Sequence, residues 1–521
     1  MTASRSQVPS GVVPSRPPRV FWWFVGTAGG VALLLAAVWL LVGWRYASGE
    51  PTPSVDHAAR MRALAPPAEG GSAAWPILSR SMEDWGGEIS SPLSAWADRV
   101  YGPPERWEAS SLAEASAWLA GERNLERLRD LVEVPLRHPR LGLSFEAGGG
   151  PVPLSSVWDT GVYGTLRQVA RLLQAEARRA TDAGDTEAAE RAVRSMLRVA
   201  DMCDDVPLAV STLVSLSIRQ LAADTLGGLL RVGGLGGEAL IRLDAAFEQT
   251  AAAAAASPVF AGERLYAADE IQRMYTDDGG GAGRITPEGL PHLAVNGRWV
   301  LETLLHGEAE PEPDSAPLWE VLAGPIVLHL SPSRAEFAAS TERVLTLAET
   351  LWREGRGSPQ GRAAIAGLEA SHAPEPAGRW GRIGFVLNPH NRAAAFRDQE
   401  PMLALHRTRE VLAERLHGVR LALAAERFRL ARGRLPATVA ELRGAGLTDS
   451  SGRGVAGRYR FAARGGRFVV YADGADGDDD GGHPPGSGGG FAGFPPLASS
   501  PPPPPDGDAV LFTGGPAPPS R

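Results

Sequence analysis

The residues whose types could support chemistry lie in an acidic loop near the C-terminus. Five aspartates occupy eight positions and are interleaved with glycines, namely Asp473, Asp476, Asp478, Asp479 and Asp480. Hard carboxylate oxygens on a loop that glycine allows to turn tightly are suited to binding calcium. Three of the aspartates match the opening of an EF-hand loop, but Ser487 stands where that loop needs a glutamate. The pattern therefore predicts a calcium site of another kind or, as the alternative, a solvated acidic turn.

A second group of polar residues follows the spacing of one helix face. His406, Glu410 and Glu414 recur every four residues, and His417 follows three positions later. This spacing could present metal ligands side by side, and Glu414 with His417 resembles half of a di-iron carboxylate motif. The sequence has no second copy of the motif, and nearby arginines supply ion-pair partners at helical spacing. We therefore expect a solvated polar face rather than a metal site.

Composition excludes several classes of enzyme. The chain contains 52 arginines and no lysine, so mechanisms that need a lysine, such as Schiff-base formation, are excluded. The HExxH, GxSxG and P-loop motifs are also missing. Cys203 is the single cysteine, which excludes an intrachain disulfide, and we expect it to be a packed small side chain. A net charge of −8 argues against a nucleic-acid partner. An enzyme whose catalytic groups converge from separate helices stays open as the alternative to a non-enzymatic protein.

The elements that must position these residues begin with an apolar segment. Residues 20–44 are 25 positions without a charge, enough for a helix to cross a bilayer. Tryptophans lie toward both ends, at the depth of the lipid headgroups. We predict a single transmembrane helix in contact with the lipid bilayer, with a cleaved signal peptide as the competing interpretation.

Basic residues before this segment favour one orientation. Arg5, Arg16 and Arg19 precede it, so the positive-inside rule favours a cytoplasmic N-terminus. The expected location is the inner membrane, crossed once, with most of the chain on the exoplasmic side. A cytoplasmic body is the alternative.

Helical periodicity dominates the middle of the chain. Apolar residues recur at helical spacing on both sides of a turn at 182–185, at Leu166, Val169, Ala170, Leu173 and Ala177 and at Ala189, Val193, Met196, Leu197 and Ala200. They predict an antiparallel helix pair. The stretch from Leu208 to Leu230 is apolar on most sides, which predicts a central helix that ends at Gly233. No fixed repeat period occurs, so we expect an irregular α-helical body.

The C-terminal part combines a long helix with strand patterns. Apolar residues at three- and four-residue spacing predict a helix over 401–432, with a seam that runs to Leu430 and is interrupted at Arg409 and Glu426. Alternating residues then predict two strands joined by a turn, and a third strand near the end of the chain. The predicted fold class is mainly α, with an N-terminal transmembrane helix, a helical body and a small C-terminal α+β module of one long helix and about three antiparallel strands.

These features divide the chain into eight expected segments. In order they are a cytoplasmic tail (1–19), the transmembrane helix (20–44), a Pro/Gly-rich tether (45–75), the α-helical body (76–400), the long helix with the β module and acidic loop (401–482), a disordered Pro/Gly insert (483–507), the last strand (508–513) and a disordered tail (514–521).

The order of elements in the C-terminal part resembles the C-terminal module of type II secretion pseudopilins. The likeness is carried by the long helix, Gly433 to Pro436, Glu441-Leu442, Asp449, Tyr459 to Phe461, Phe468 to Tyr471, the acidic loop and Asp508 to Phe512. This C-terminal part is similar, more closely still, to that of large uncharacterised bacterial membrane proteins, in which the same module follows a helical body.

The resemblance implies a calcium ion in the acidic loop. In pseudopilins the equivalent loop holds a calcium ion that pins the last strand. By position, Asp476, Asp480 and Asp508 would be ligands here, and Asp473 and Asp478 complete the candidate set. No catalytic residue is implied.

The chain also departs from true pseudopilins. Those proteins carry a Gly-aromatic processing site before a membrane helix that continues into the long helix, whereas residues 20–44 contain no acid and lie over 350 residues upstream. We therefore expect no pilin-type processing. The predicted function is that of a membrane-anchored envelope protein of structural or interaction type, with envelope or secretion-apparatus proteins as partners.

Overall fold

The computed structural model describes a large part of the chain, and these residues are mainly α-helical, as predicted. They are 27, 29–31, 33–34, 36–41, 50–51, 53–64, 73–85, 117, 121–143, 153–154, 161–278, 283–286, 332–371, 400–445, 459–464, 467–472 and 509–513. The chain divides into two compact units. The first comprises 1–52, 271–340 and 373–397, and the second comprises 53–270, 341–372 and 398–521.

The described helices are labelled in chain order. They are α1 (His57–Leu64), α2 (Trp75–Trp85), α3 (Glu122–Arg137), α4 (Val162–Asp182), α5 (Thr186–Cys203), α6 (Ala209–Val232), α7 (Gly237–Ala256), α8 (Val259–Met274), α9 (Arg334–Glu354), α10 (Pro359–Ser371), α11 (Glu400–Arg432) and α12 (Val439–Gly444).

The antiparallel pair predicted in the second unit is confirmed as α4 and α5, which pack against each other. Gly184 turns the chain between them with a φ of +75°, a conformation that glycine adopts without strain. Asp185 then caps α5, because its carboxylate accepts a hydrogen bond from the Ala188 N–H at 3.0 Å. The apolar positions predicted on both helices are buried.

Helix α6 is central, as its apolar sequence predicts. It packs against α4, α5 and α11, and such surroundings suit a helix that is apolar on most sides. Gly233 ends it with a φ of +79°. Arg219, in the middle of this helix, is fully buried, and this residue organises the candidate site described below.

Helix α11 lays a long apolar seam against α6 and α7. Leu405, Leu412 and Leu416 are buried, but Leu430 is 46% exposed, so the prediction that the seam reaches Leu430 is wrong. Glu426, expected to interrupt the seam, is buried instead, and Arg429 donates two hydrogen bonds to its carboxylate at 2.8 and 2.6 Å. A bidentate pair of this kind allows a carboxylate to lie within an apolar stripe.

Three strands form an antiparallel sheet in the order β1 (Tyr459–Arg464), β2 (Arg467–Ala472) and β3 (Ala509–Thr513). Arg464 lies opposite Arg467, and two residues separate them in the sequence. The pairing of β2 with β3 shifts register between Val470 and Tyr471. Both β2 and β3 contact α11, and Val470 is buried.

The described residues of the first unit include a short ladder after α8. Tyr275 and Ile285 form an antiparallel bridge. The N–H of Thr276 donates to the Arg284 carbonyl at 2.8 Å, and the N–H of Thr286 donates to the Met274 carbonyl at 2.7 Å.

The predicted transmembrane segment, 20–44, lies partly outside the described residues. Its described positions 29–31, 33–34 and 36–41 are helical. Large apolar side chains on these positions are between 52% and 74% exposed, namely Val31, Leu33, Leu34, Val38, Leu40 and Leu41. In the part of the chain that the structure describes, no helix combines the length and apolar character needed to cross a membrane.

Candidate functional site

The aspartates predicted to bind calcium fall outside the described residues. These are Asp473, Asp476, Asp478, Asp480 and Asp508. Among the residues that are described, no three side chains of the metal-binding types come together to hold an ion. The calcium site therefore stays a prediction from the sequence.

The helix face that carries His406 differs from the solvated face expected. His406 is buried, with only 5% of its side chain exposed, and its Nε2 lies 3.0 Å from Glu410 Oε1. Glu414 is exposed and His417 is half-buried. Solvation is thus the wrong interpretation for the first histidine, because its side chain is buried.

Two contacts join the part of α11 after His406 to α9 and to the residues that follow α9. The Arg409 guanidinium lies 3.9 Å from the centre of the Trp352 ring and donates a hydrogen bond to the Trp352 carbonyl. Arg356 lies 3.8 Å from the Glu410 carboxylate. The arginine over the tryptophan ring is a cation–π contact between α11 and α9.

Burial sets the protonation state of His406. It lowers the pKa of the imidazole below its ordinary value, and attraction to Glu410 opposes this lowering without cancelling it. Arg409 and Arg356 add to the lowering because both are positively charged. Burial also lowers the pKa of His417. Near neutral pH the buried imidazole is therefore uncharged, which makes it a packed polar side chain.

A larger polar cluster, which sequence reasoning missed, lies where α5, α6 and α7 meet. At its centre is Arg219, whose side chain is fully buried. Its Nη2 donates to Asp201 at 2.9 Å and to Asp204 at 2.7 Å. Its Nε donates to the Thr250 hydroxyl at 2.7 Å, and its Nη1 donates to the Ser215 hydroxyl at 2.6 Å. We call these five residues the Arg219 cluster.

The remaining hydrogen bonds of the Arg219 cluster tie it to the helices. The Thr250 hydroxyl donates to Asp201 at 2.6 Å, and the Ser215 hydroxyl donates to the Ala200 carbonyl at 2.8 Å. Each nitrogen of the Arg219 guanidinium therefore has a partner within the protein. A buried charge needs this kind of compensation, because transfer from water costs several kcal/mol per ion.

The electrostatics of the Arg219 cluster follow from its two carboxylates. Burial lowers the pKa of Arg219, but Asp204 and Asp201 outweigh this effect and its pKa lies above the ordinary value. Burial raises the pKa of Asp204, and attraction to Arg219 opposes the rise. The guanidinium stays charged, and its donors are occupied by partners on three helices. This arrangement fastens helices together and leaves little capacity to bind a substrate at Arg219.

Cys203 lies beside the Arg219 cluster at the end of α5. It is buried, and burial raises the pKa of its thiol well above the ordinary value. A nucleophilic cysteine needs a lowered pKa and access to solvent. The prediction that Cys203 is a packed small side chain is confirmed.

One sequence signal could have pointed to the Arg219 cluster. Arg219 is one of three charged residues in the largely apolar α6, with Asp224 and Arg231, and Asp201 and Asp204 close the preceding helix at a three-residue spacing. A charge in an apolar helix usually has a partner of opposite sign. Its position in the sequence did not reveal which helix supplied that partner.

Comparisons with protein-family models, with curated proteins and with solved structures found no match for this chain.

Proposed function

We propose that this chain is a membrane-anchored envelope protein of structural or interaction type, crossing the inner membrane once through residues 20–44. Its N-terminus would be cytoplasmic and its helical body exoplasmic. In this proposal the helical body is a scaffold that the Arg219 cluster holds together.

The observation that carries the proposal is the exposure of apolar side chains between Val31 and Leu41. Six Val and Leu side chains there are more than half exposed. Leu33 and Leu40 are seven residues apart, and they lie on the side of the helix opposite Val31 and Val38. A helix that is apolar on several sides is typical of a segment surrounded by lipid or protein.

Reporter fusions test both the anchor and its orientation. An alkaline phosphatase, which is active only outside the cytoplasm, is fused after Arg521 of the full chain, and a fluorescent protein that folds only inside is fused in parallel. We expect phosphatase activity that sediments with membranes, and no fluorescence. A fluorescent, soluble fusion without phosphatase activity would overturn the proposal.

We further propose that a calcium ion stabilises a pseudopilin-like module made of α11, the three strands and the acidic loop. The sequence resemblance supports this proposal. An ion bound only by the folded loop adds RT ln(1 + [Ca]/Kd) to the stability, about 1.4 kcal/mol at tenfold excess over Kd. The partners of such a module would be envelope or secretion-apparatus proteins.

Thermal unfolding tests the calcium proposal. The full chain in detergent is unfolded with millimolar calcium and with chelator, beside Asp476→Ala, Asp480→Ala and the exposed control Asp182→Ala. We expect calcium to raise the melting temperature of the wild type and of the control but not of the two loop variants. Equal melting curves with and without calcium would mean that the loop is a solvated acidic turn and not a calcium site.

A further inference from the structure

A groove between α5 and α7 contains three arginines that lie outside the Arg219 cluster. Its cavity has a volume of about 210 Å³. Arg194 and Arg198 from α5 line it together with Arg242 and Gln249 from α7, and Leu197 contributes apolar surface. The three arginine side chains are 34%, 34% and 45% exposed, so their guanidinium groups reach solvent.

The two carboxylates at this groove already accept hydrogen bonds from protein side chains. Glu190 is 1% exposed and accepts two hydrogen bonds from Arg242, at 2.9 and 2.7 Å, and one from Arg194 at 3.3 Å. Asp201, which also lines the groove, accepts from Arg219 and Thr250. Glu190 and Asp201 therefore fix the positions of the three arginine side chains.

Donors remain on the open side of the groove. Arg198 donates from Nη2 to the Gln249 side-chain oxygen at 3.1 Å and lies 3.6 Å from Asp201 through Nη1. Within the described residues, Arg198 Nε, Arg242 Nη1 and Arg194 Nη2 have no hydrogen-bond acceptor. A guanidinium group whose N–H donors lack acceptors can donate two parallel hydrogen bonds to two oxygens of one phosphate.

Charge at the groove favours an anion. Arg194, Arg198 and Arg242 line the groove with Asp201, and Glu190 pairs with Arg194 and Arg242, so three arginines meet two carboxylates there and leave one positive charge in excess. Glu238 approaches Arg242 only to 3.8 Å and is 94% exposed, so water screens its charge.

We propose that this groove binds a phosphate group, either on a small soluble molecule or on a lipid headgroup. Its volume is below the range of about 300–1,000 Å³ that is typical of drug-sized ligands, which suits a phosphate rather than a larger body. The proposal does not depend on the membrane anchor, and protein that does not enter nanodiscs is titrated in the same buffer without lipid.

Binding of inorganic phosphate to the full chain tests the proposal. The protein is placed in phosphatidylcholine nanodiscs at low ionic strength, because salt screens such contacts, and is titrated calorimetrically with phosphate against chloride. We expect saturable binding that Arg198→Gln weakens about tenfold, as expected for one charge-assisted hydrogen bond. Arg191→Gln is the matched control, because Arg191 lies two turns earlier on α5, is 38% exposed and pairs with Glu187 outside the groove.

A second variant keeps every arginine. Gln249→Glu places a carboxylate against Arg198 and should abolish phosphate binding while the far-UV spectrum and melting temperature stay those of the wild type. In a parallel arm, phosphatidic acid is added to the nanodiscs. Weaker binding of free phosphate in that arm, for the wild type and not for Arg198→Gln, identifies a lipid headgroup as the source. An unchanged affinity for free phosphate identifies a small soluble molecule as the source of the phosphate group.

Two results would overturn the proposal. The first is the lack of saturable phosphate binding by the wild type in phosphatidylcholine nanodiscs. The second is an equal loss of affinity in Arg191→Gln and Arg198→Gln, which would mean that the binding follows the general charge of α5 and not the groove.

Discussion

Two buried polar groups in the second unit are accommodated in opposite ways. Arg219 is charged, and two carboxylates and two hydroxyls bond its guanidinium. His406 is almost as buried but faces one carboxylate, and its Nδ1 has no hydrogen-bond partner among the described residues. The first group retains its charge because the helices around it supply opposite charges, whereas the second loses its charge. The difference shows that partners from neighbouring helices decide what a buried polar group costs.

The largest effect is expected from breaking the Arg219 cluster. Arg219→Met removes the cation and leaves Asp201 and Asp204 with their charges poorly compensated, which should lower the free energy of unfolding by about 3–5 kcal/mol. Equilibrium denaturation of the full chain in detergent measures this loss, with Arg191→Gln, at a half-buried surface arginine, as a control that should change stability by no more than about 0.5 kcal/mol.

Neutralising the carboxylates sharpens the same test. If uncompensated charge causes the loss, Asp201→Asn and Asp204→Asn introduced together with Arg219→Met should recover much of the stability. A triple variant that is as unstable as Arg219→Met alone would indicate lost packing instead.

A smaller effect is expected at the contact between Arg409 and Trp352. Arg409→Ala removes the cation–π contact with Trp352 and should cost about 1–2 kcal/mol of unfolding free energy. Arg407→Ala on the same helix is the control, since Arg407 is exposed. Trp352 fluorescence during denaturation would report the change. Equal effects of the two variants would contradict a specific role for the tryptophan contact.

The smallest effect is expected from pH. The pKa of His406 is lowered in the folded state from its ordinary 6.5, so the unfolded chain binds the extra proton first as the pH falls. Stability should therefore decrease as the pH falls below about 6.5, by at most about 1.4 kcal/mol per pH unit for this group. The sign is the same for His417, whose pKa is also lowered.

Replacing the imidazole isolates its share of this pH dependence. His406→Gln should show a flatter dependence between pH 7 and pH 5 than the wild type, because only the other groups still titrate. Denaturation midpoints measured across that range provide the comparison. A variant with the wild-type slope would mean that His406 does not contribute.

The helices could be predicted from the sequence more fully than the polar contacts. Periodicity over α4, α5 and α6 is a local property, so the pair and the central helix followed from apolar spacing alone. The Arg219 cluster did not, because Thr250 lies 31 residues from Arg219 and approaches it only when α7 packs in place. The contact of Arg409 with Trp352 was not predicted for the same reason, since Trp352 lies 57 residues before Arg409.

The most direct test of the proposed function is flotation of the full chain with liposomes. Wild type is compared with Leu33→Arg combined with Leu34→Arg, since an arginine at the centre of a membrane helix costs about 2.5–3.5 kcal/mol. Val411→Arg combined with Leu430→Arg is the control, because both side chains are exposed on α11. We predict that wild type and control float after alkaline washing and that the variant in 20–44 does not. Wild-type protein that stays at the bottom of the gradient, or flotation that is equal for all three, would contradict the membrane anchor.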